Sequence, residues 1–241
     1  MALSQSKPGI LIVNTASGHG YVGPSEASLI ETLGEEFEVR VISAKVGFPD
    51  PSSVKERGLI LTGSHHSVYE DLKWIREYRE FLGRMIDCDK MIFGTCFGLQ
   101  MLAMLAGWEV NLAPQAQVGY ARVELTEEGK SHPMFAGLPQ EVELPTFHFD
   151  HVEKADVGSL ARTSVSGHYA IDFSHLGTIV WGVQFHPETK KDRLLELIEL
   201  KRELLANWQD LHEGVAKYSC VEAFGAQIIK NYGNAVRVAK N

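Results

Sequence analysis

Residues 90–100 read KMIFGTCFGLQ, and this stretch decides the fold of the chain. The wholly apolar run at 91–93 predicts a strand that is covered on both faces of a sheet. Gly94 and Gly98 flank Cys96 and allow the backbone to turn sharply after the strand. The apolar residues that follow recur at helical spacing. The stretch therefore predicts a strand, a tight turn with Cys96 at its tip, and a helix.

Cys96 would lie at the N-terminus of that helix. There the positive end of the helix dipole and free backbone N–H groups favour the thiolate form of a cysteine. The geometry parallels the nucleophile elbow known with serine. A lone cysteine is more often a small, buried apolar residue. The turn by itself thus leaves a packing role and a catalytic role open.

The composition predicts a globular protein with a sizeable core. The chain has 241 residues, of which 44% are hydrophobic, and a formal net charge of −8. This charge argues against nucleic acid or an anionic membrane as a partner. No apolar run approaches the ~20 residues of a transmembrane helix, and the N-terminus lacks the apolar segment of a secretory signal. The three cysteines lack disulfide or zinc spacing, so we expect a cytoplasmic protein with reduced thiols.

Strand and helix patterns alternate over the first 107 residues. Strands are predicted at 9–13, 37–42, 58–62 and 91–93. Helices are predicted at 24–34, 71–85 and 99–107. This alternation indicates an α/β fold with a mostly parallel central sheet and helices on both faces. Later segments predict exposed antiparallel strands at 121–125 and 142–145, a buried strand at 178–185, and helices at 194–211 and 220–232. We expect a single domain over 1–241, with a C-terminal helical extension at about 190–241.

A histidine and a glutamate follow the strand at 178–185 as His186-Pro187-Glu188. Proline disfavours the helical region for the preceding residue, so we expect an extended segment here. Residues two apart would then point to the same side. Glu188 can accept a hydrogen bond from one ring nitrogen of His186 and leave the other to face a thiol.

Two further segments carry polar groups. The strand at 58–62 runs into Gly63 and Ser64, whose backbone N–H groups can bind an oxyanion if the loop lies beside the cysteine. His148 and Asp150 form part of a His-x-Asp-His cluster. Because no third spaced ligand group accompanies this cluster, we expect a positioning or structural role there and no metal.

Three segments together resemble the class I glutamine amidotransferase family. They are LTGSHHSVY at 61–69, GTCFGLQ at 94–100 and QFHPE at 184–188. The order and separation of the cysteine and the His-Pro-Glu motif also match, and the similarity spans about residues 8–190. The first of these segments most resembles the glutaminase domain of GMP synthetase. The resemblance implies a flavodoxin-like domain that hydrolyses the side-chain amide of glutamine without a cofactor.

The resemblance also implies a role for each matching residue. Cys96 would be the nucleophile, His186 the general base and acid, and Glu188 the residue that orients the histidine. The backbone N–H groups implied for the oxyanion hole belong to Gly63, Ser64 and Phe97. The residues implied for the substrate pocket are Gln100, His148 and Asp150.

Two positions depart from the family pattern. Ser64 stands where the GMP synthetase pattern has a second glycine, and a required positive φ would make serine costlier there. Gln117 stands where the family has an acidic residue, which puts the contact to the α-amino group of glutamine in doubt.

Three functions remain open on the sequence. The first is a glutaminase that supplies ammonia to a separate synthase subunit. The second is a γ-glutamyl peptidase or hydrolase, since the same three catalytic groups can cleave any γ-glutamyl amide. The third is a catalytically silent binding subunit. The ammonia acceptor and the formation of a homo-oligomer are not decided by the sequence.

Overall fold

The computed structural model describes residues 7–16, 22–153, 158–219 and 222–239. Within these ranges the strands are β1 (Gly9–Asn14), β2 (Glu38–Ser43), β3 (Gly58–Leu61), β4 (Met91–Thr95), β5 (Val110–Leu125), β6 (Glu141–Val152), β7 (Ser159–Arg162), β8 (Ala170–Asp172) and β9 (Val180–Val183). The helices are α1 (Pro24–Leu33), α2 (Lys73–Asp87), α3 (Phe97–Leu105), α4 (Glu127–Ser131), α5 (Lys191–Leu200), α6 (Trp208–Lys217) and α7 (Ala223–Val238). Short 3₁₀ turns lie at Gly34–Glu36, Pro51–Ser53, Pro133–Phe135 and Arg202–Leu204.

The strands of the described residues form one sheet in the order β2-β1-β3-β4-β9-β8-β7-β5-β6. All pairings from β2 to β9 are parallel, whereas those from β9 to β6 are antiparallel. The order of the five parallel strands is that of flavodoxin-like sheets. The predicted α/β fold is confirmed, and an antiparallel extension adds four strands to the five parallel ones.

Helices cover both faces of the parallel strands, as expected. α1 and α7 contribute to one apolar core, and α2 and α3 contribute to a second. Successive residues of β1 alternate between the two cores, because side chains of a strand alternate between the faces of the sheet. In the described part of the chain, no helix combines the length and apolar character needed to cross a bilayer.

The antiparallel strands are much longer than their sequence pattern suggests. β5 begins at Val110, whereas the pattern predicts a start at 121, and β6 continues to Val152. The register shifts between Leu112 and Gln117. This irregularity interrupts the period-two pattern by which a strand is recognised.

The predicted helix at 194–211 is wrong, because two helices and a turn occupy this region. α5 ends at Leu200, and α6 begins at Trp208. The chain folds back so that Leu205 and Val215 pack with residues of α5 in a small apolar cluster against β5 and β6. A continuous helix could not bury both sets of side chains. α7 is longer than the predicted helix at 220–232, and Cys220 lies outside the described residues. The expected division into one domain with a C-terminal extension stays a prediction.

The register of the parallel strands brings their C-terminal ends to one edge. Leu61 of β3 pairs with Gly94 of β4, and Thr95 of β4 pairs with Val183 of β9. The loops that follow these strands therefore start side by side, where doubly wound sheets bind ligands.

Candidate active site

Cys96 lies at the turn between β4 and α3, as the sequence predicts. Its φ of 50° and ψ of −105° are unusual for a residue with a side chain. The Cys96 N–H donates a 2.8 Å hydrogen bond to the carbonyl of Val183 in β9. Such backbone strain costs about 1–3 kcal/mol and clusters at functional sites. The cysteine is also buried, with 6% exposure.

Close packing requires the glycines on either side of Cys96. A Cβ at Gly94 would lie 2.6 Å from the carbonyl carbon of Gly98. A Cβ at Gly98 would lie 2.6 Å from the carbonyl oxygen of Leu61 in β3. α3 therefore lies closer to β3 and β4 than side chains at these positions would allow.

His186 and Glu188 form a hydrogen-bonded pair after β9. His186 Nδ1 lies 2.9 Å from Glu188 Oε1, and the two side chains are 13% and 1% exposed. The predicted contact is present, but the predicted extended path is wrong. The Thr189 N–H donates to the carbonyl of His186 at 3.0 Å, so residues 186–189 form a β-turn with Pro187 at its second position. This turn carries Glu188 back to the imidazole.

Opposing effects determine the protonation of His186. Burial disfavours the charged imidazolium, but the Glu188 carboxylate and the hydrogen-bonded sulfur of Cys96 favour it. Together these two groups raise the pKa of His186 well above its ordinary value. Since Glu188 accepts the Nδ1–H, Nε2 is the ring nitrogen left for the sulfur. The geometry places a proton-carrying imidazole against the sulfur of Cys96, and the thiolate is the form of cysteine that acts as a nucleophile.

The loop after β3 brings Gly63 against both groups. A Cβ at Gly63 would lie 2.7 Å from His186 Cε1 and 3.6 Å from Cys96 Cβ. The Thr15 hydroxyl holds the loop by donating to the carbonyl of Gly63 at 2.6 Å. The Ser64 hydroxyl donates in turn to the carbonyl of Thr15 at 3.3 Å. No backbone carbonyl in the described ranges accepts from the N–H of Gly63 or Ser64.

Serine fits its position in this loop without strain. Asp89 and Cys96 are the only non-glycine residues with a positive φ in the described part of the chain. Ser64 therefore keeps a conformation open to any residue. A further N–H comes from Phe97, which is the first residue of α3 and so lacks an intrahelical acceptor. Backbone donors from two segments thus lie near Cys96.

A cavity of about 120 Å³ opens beside the cysteine. Its walls come from residues 64–67, Cys96 with Gln100, residues 147–150, and Lys201 with Leu204. The three residues implied for substrate binding by the sequence all lie here. Lys201 and Leu204 are additions that the sequence did not indicate.

Gln100 and His148 support the cavity wall through internal hydrogen bonds. Gln100 Nε2 donates to the carbonyl of Asp150 at 3.0 Å and to Gln184 Oε1 at 3.1 Å, which leaves its oxygen for a ligand. His148 Nδ1 donates to the same carbonyl at 2.8 Å, and Nε2 accepts from the Tyr169 hydroxyl at 3.2 Å. Burial lowers the pKa of His148 to about 3, so this imidazole is neutral near pH 7.

The carboxylate of Asp150 ties the loop after β3 to β6. It accepts from the Ser67 hydroxyl at 2.5 Å and from the Tyr69 hydroxyl at 2.8 Å. Both hydroxyl residues belong to the motif at 61–69, but the sequence does not indicate their partner. A contact between residues more than 80 positions apart leaves no local signal.

A second cavity is lined by His186 and Glu188 together with Glu26 of α1 and Arg193 of α5. Glu188 Oε2 and Arg193 Nε are both buried and have no hydrogen-bond partner in the described ranges. Burial raises the pKa of Glu26, and the nearby Glu188 carboxylate adds to this effect. No sequence motif marks Glu26 or Arg193. The described residues contain no group of three or more His, Cys, Asp or Glu side chains placed to hold a metal ion.

Comparison with known proteins identifies the family. Residues 25–199 match the family described as glutamine amidotransferase class-I. The chain belongs to the class I glutamine amidotransferase family.

Relatives of this amidotransferase chain include two kinds of enzyme. A γ-glutamyl-L-1-hydroxyisopropylamide hydrolase from a Pseudomonas species is 28% identical, over 72% of this chain and 63% of its own length. A glutamine-hydrolyzing GMP synthase from Aeropyrum pernix is 28% identical, over 88% of this chain and 38% of its own length. The chain therefore spans less than two thirds of either relative. The solved structure of a glutamine amidotransferase from Thermotoga maritima superposes with a TM-score of 0.76 at 15% identity, covering 98% of this chain and 100% of the other. At that identity the likeness shows the fold alone.

Residues outside the catalytic groups also have a defined place in this amidotransferase. Gln117, the position of the missing acidic residue, pairs with His148 across β5 and β6. It lines a groove with Val165 and Leu204 and is not among the residues that line the cavity at Cys96. Lys201 and Leu204 do line that cavity, yet they lie beyond the residues matched by the family.

Proposed function

We propose that this amidotransferase hydrolyses the side-chain amide of glutamine to glutamate and ammonia through a γ-glutamyl thioester on Cys96. The observation that carries the proposal is the position of Gly63, against both the Cys96 side chain and the His186 ring. This position brings together a nucleophile, a base and a loop whose backbone N–H groups can donate hydrogen bonds. The His186–Glu188 hydrogen bond of 2.9 Å supplies the orienting group.

The first half of the reaction forms the thioester. The Cys96 sulfur attacks the amide carbon, and the carbonyl electron pair moves onto its oxygen to form a tetrahedral oxyanion. The N–H of Phe97 and one from the Gly63–Ser64 loop stabilise this oxyanion. Loss of one such donor typically costs about 10²–10³ in rate. His186 protonates the amide nitrogen, the carbon–nitrogen bond breaks and ammonia leaves.

The second half hydrolyses the thioester. His186, now neutral, removes a proton from water, whose oxygen attacks the thioester carbon. The carbon–sulfur bond then breaks, which releases glutamate and restores the thiolate–imidazolium pair. The high pKa of His186 suits the first half, because the ring must carry a proton to give to the leaving ammonia.

Each polar residue of the cavity has a different role in binding the substrate. The oxygen of Gln100 is the acceptor left for the α-ammonium group, since both of its N–H groups are used internally. His148 is neutral and positions β6 through its bonds to Asp150 and Tyr169. Asp150 adds a negative charge that favours the ammonium end of the substrate.

A γ-glutamyl hydrolase is the second candidate. The Pseudomonas relative acts on a γ-glutamyl amide by its name, and the same catalytic groups cleave either bond. Comparison of kcat/KM for glutamine and for γ-glutamyl dipeptides decides between the two. Cleavage of the dipeptides alone would exclude the glutaminase. As a glutaminase, the chain would release ammonia for a separate synthase subunit, in keeping with its similarity to the Aeropyrum pernix enzyme.

The test of the mechanism replaces each described cysteine in turn. Cys88 is exposed and Cys96 is buried, and both are free thiols. We expect Cys96→Ala to abolish glutamate formation from glutamine and Cys88→Ala to leave it unchanged. A glutamine-analogue electrophile should alkylate the Cys88→Ala variant but not the Cys96→Ala variant. Equal rates of glutamate formation in the two variants would refute the mechanism. If the wild type reacts with none of glutamine, γ-glutamyl dipeptides and the electrophile, this result would favour a silent binding subunit.

A further inference from the structure

A lysine from the C-terminal helices forms part of the cavity at Cys96. Lys201 and Leu204 line the cavity from the turn between α5 and α6. Both residues lie just beyond the range matched to the family, which ends at position 199. The catalytic residues proposed above assign no role to this lysine.

Packing holds this turn against the cavity. Leu205 and Val215 are buried with residues of α5 in an apolar cluster, and Phe147 of β6 packs against it. Phe147 also lines the cavity. The Leu204 N–H donates to the carbonyl of Lys201 at 2.9 Å, which closes the turn. Lys201 is thus carried by an anchored segment and not by a free loop.

Within the described ranges, no carboxylate forms an ion pair with Lys201. Its side chain is partly buried. Asp150, the acidic residue on the cavity wall, already accepts two hydroxyl hydrogen bonds. Partial desolvation lowers the pKa of His65, which also lies on this wall, and the positive charges of Lys201, Lys45 and Arg193 lower it further. An anion bound in the cavity would gain from this positive potential.

Glutamine, the proposed substrate, carries a negatively charged α-carboxylate at the end opposite its side-chain amide. In glutamine, two methylene groups and the α-carbon separate the amide from the α-carboxylate. When the amide carbon lies at Cys96, the carboxylate lies within the same small cavity. Lys201 and the histidines are the groups on its wall that can carry positive charge, and His148 is neutral.

We propose that Lys201 binds the α-carboxylate of the substrate and so restricts the enzyme to γ-glutamyl groups whose α-carboxylate is free. The inference rests on the proposed function and names the substrate class of that site. A charged hydrogen bond of this kind corresponds to about a 10- to 100-fold effect on kcat/KM.

The experiment compares L-glutamine with L-glutamine α-amide, which has the same scissile bond but no carboxylate. We expect Lys201→Ala to lower kcat/KM for glutamine 10- to 100-fold, mainly through KM, and to change the value for the α-amide less than threefold. Lys201→Arg should restore part of the loss. Lys217→Ala is the matched control, since this lysine is exposed on α6 and pairs with Glu213. An equal loss for both substrates, or no loss for glutamine, would overturn the proposal.

A second measurement separates this inference from the proposed function. Glutamine should protect Cys96 of the wild type from iodoacetamide at concentrations that do not protect Lys201→Ala. If the wild type hydrolyses neither compound but shows this difference in protection, the glutaminase proposal fails and the role of Lys201 stands. If glutamine protects neither protein, the role of Lys201 fails as well.

Discussion

Replacement of Gly63 by alanine tests whether the catalytic groups depend on close packing around this residue. The new Cβ would lie 2.7 Å from His186 Cε1, whereas ordinary contacts begin at 3.4 Å, so the ring or the loop must move by about 0.7 Å. Alanine keeps the backbone N–H, and the perturbation is therefore steric. A misplacement of about 1 Å can cost about 10²-fold in rate. We expect kcat for glutamine hydrolysis to fall about 10- to 100-fold.

The assay measures glutamate formation together with the rate of Cys96 alkylation by iodoacetamide, because displacement of His186 should weaken the thiolate–imidazolium pair. Gly83→Ala is the matched control: Gly83 lies in α2, and a Cβ there would meet nothing within 4 Å. Thermal unfolding distinguishes a local effect from loss of the fold. Overpacking of this kind typically costs about 1–3 kcal/mol. If Gly63→Ala stays within threefold of Gly83→Ala in both activity and alkylation, the proposed arrangement of the site is refuted.

Three further changes have defined outcomes. Glu188→Gln removes the charge that stabilises the imidazolium, so the pKa of His186 should fall and the alkaline limb of the kcat profile should move to lower pH; an unmoved limb would contradict the role of Glu188. The pKa of His148 is about 3 in the folded protein and 6.5 ordinarily, so between these pH values the imidazole binds a proton only when the protein unfolds. The free energy of unfolding therefore decreases as the pH falls from about 6.5 to about 3. This loss amounts to at most about 5 kcal/mol, and denaturant melts of His148→Gln should show a flatter pH dependence than the wild type. Tyr232→Phe removes a hydroxyl that lies 2.9 and 2.8 Å from carbonyls of β3 and β4, so urea unfolding should show a loss of about 1–3 kcal/mol, and an unchanged midpoint would refute this contribution.

The parallel half of the fold and the cysteine turn could be predicted because their signals are local. A run of apolar residues, two flanking glycines and a helical pattern all lie within residues 90–107. The glycines are informative because each is required by a contact below 3.0 Å. The contact between His186 and Glu188 was also predictable from a spacing of two, although a turn brings it about.

The parts of the fold and of the site that the sequence does not predict depend on contacts between distant segments. The register shift in β5 hides most of that strand from a period-two search. The break after α5 arises because folding back buries Leu205 against β5 and β6, and nothing near position 201 in the sequence marks it. Lys201 and Arg193 lie near the catalytic residues for the same tertiary reason. Their spacing from Cys96 along the chain carries no motif.

The position of Tyr232 has a practical consequence for work with this protein. Its hydroxyl joins α7 to the carbonyls of Leu59 and Met91, at the start of the two strands whose far ends lead to Gly63 and Cys96. A proteolytic cut or deletion that removes α7 would therefore loosen the spacing of these strands without altering any residue at the cavity. Loss of activity in such a shortened protein would then result from the altered spacing of the strands and not from the loss of a catalytic group. An affinity tag is therefore better joined to the chain through a flexible spacer after α7, with the integrity of that helix checked before any kinetic comparison.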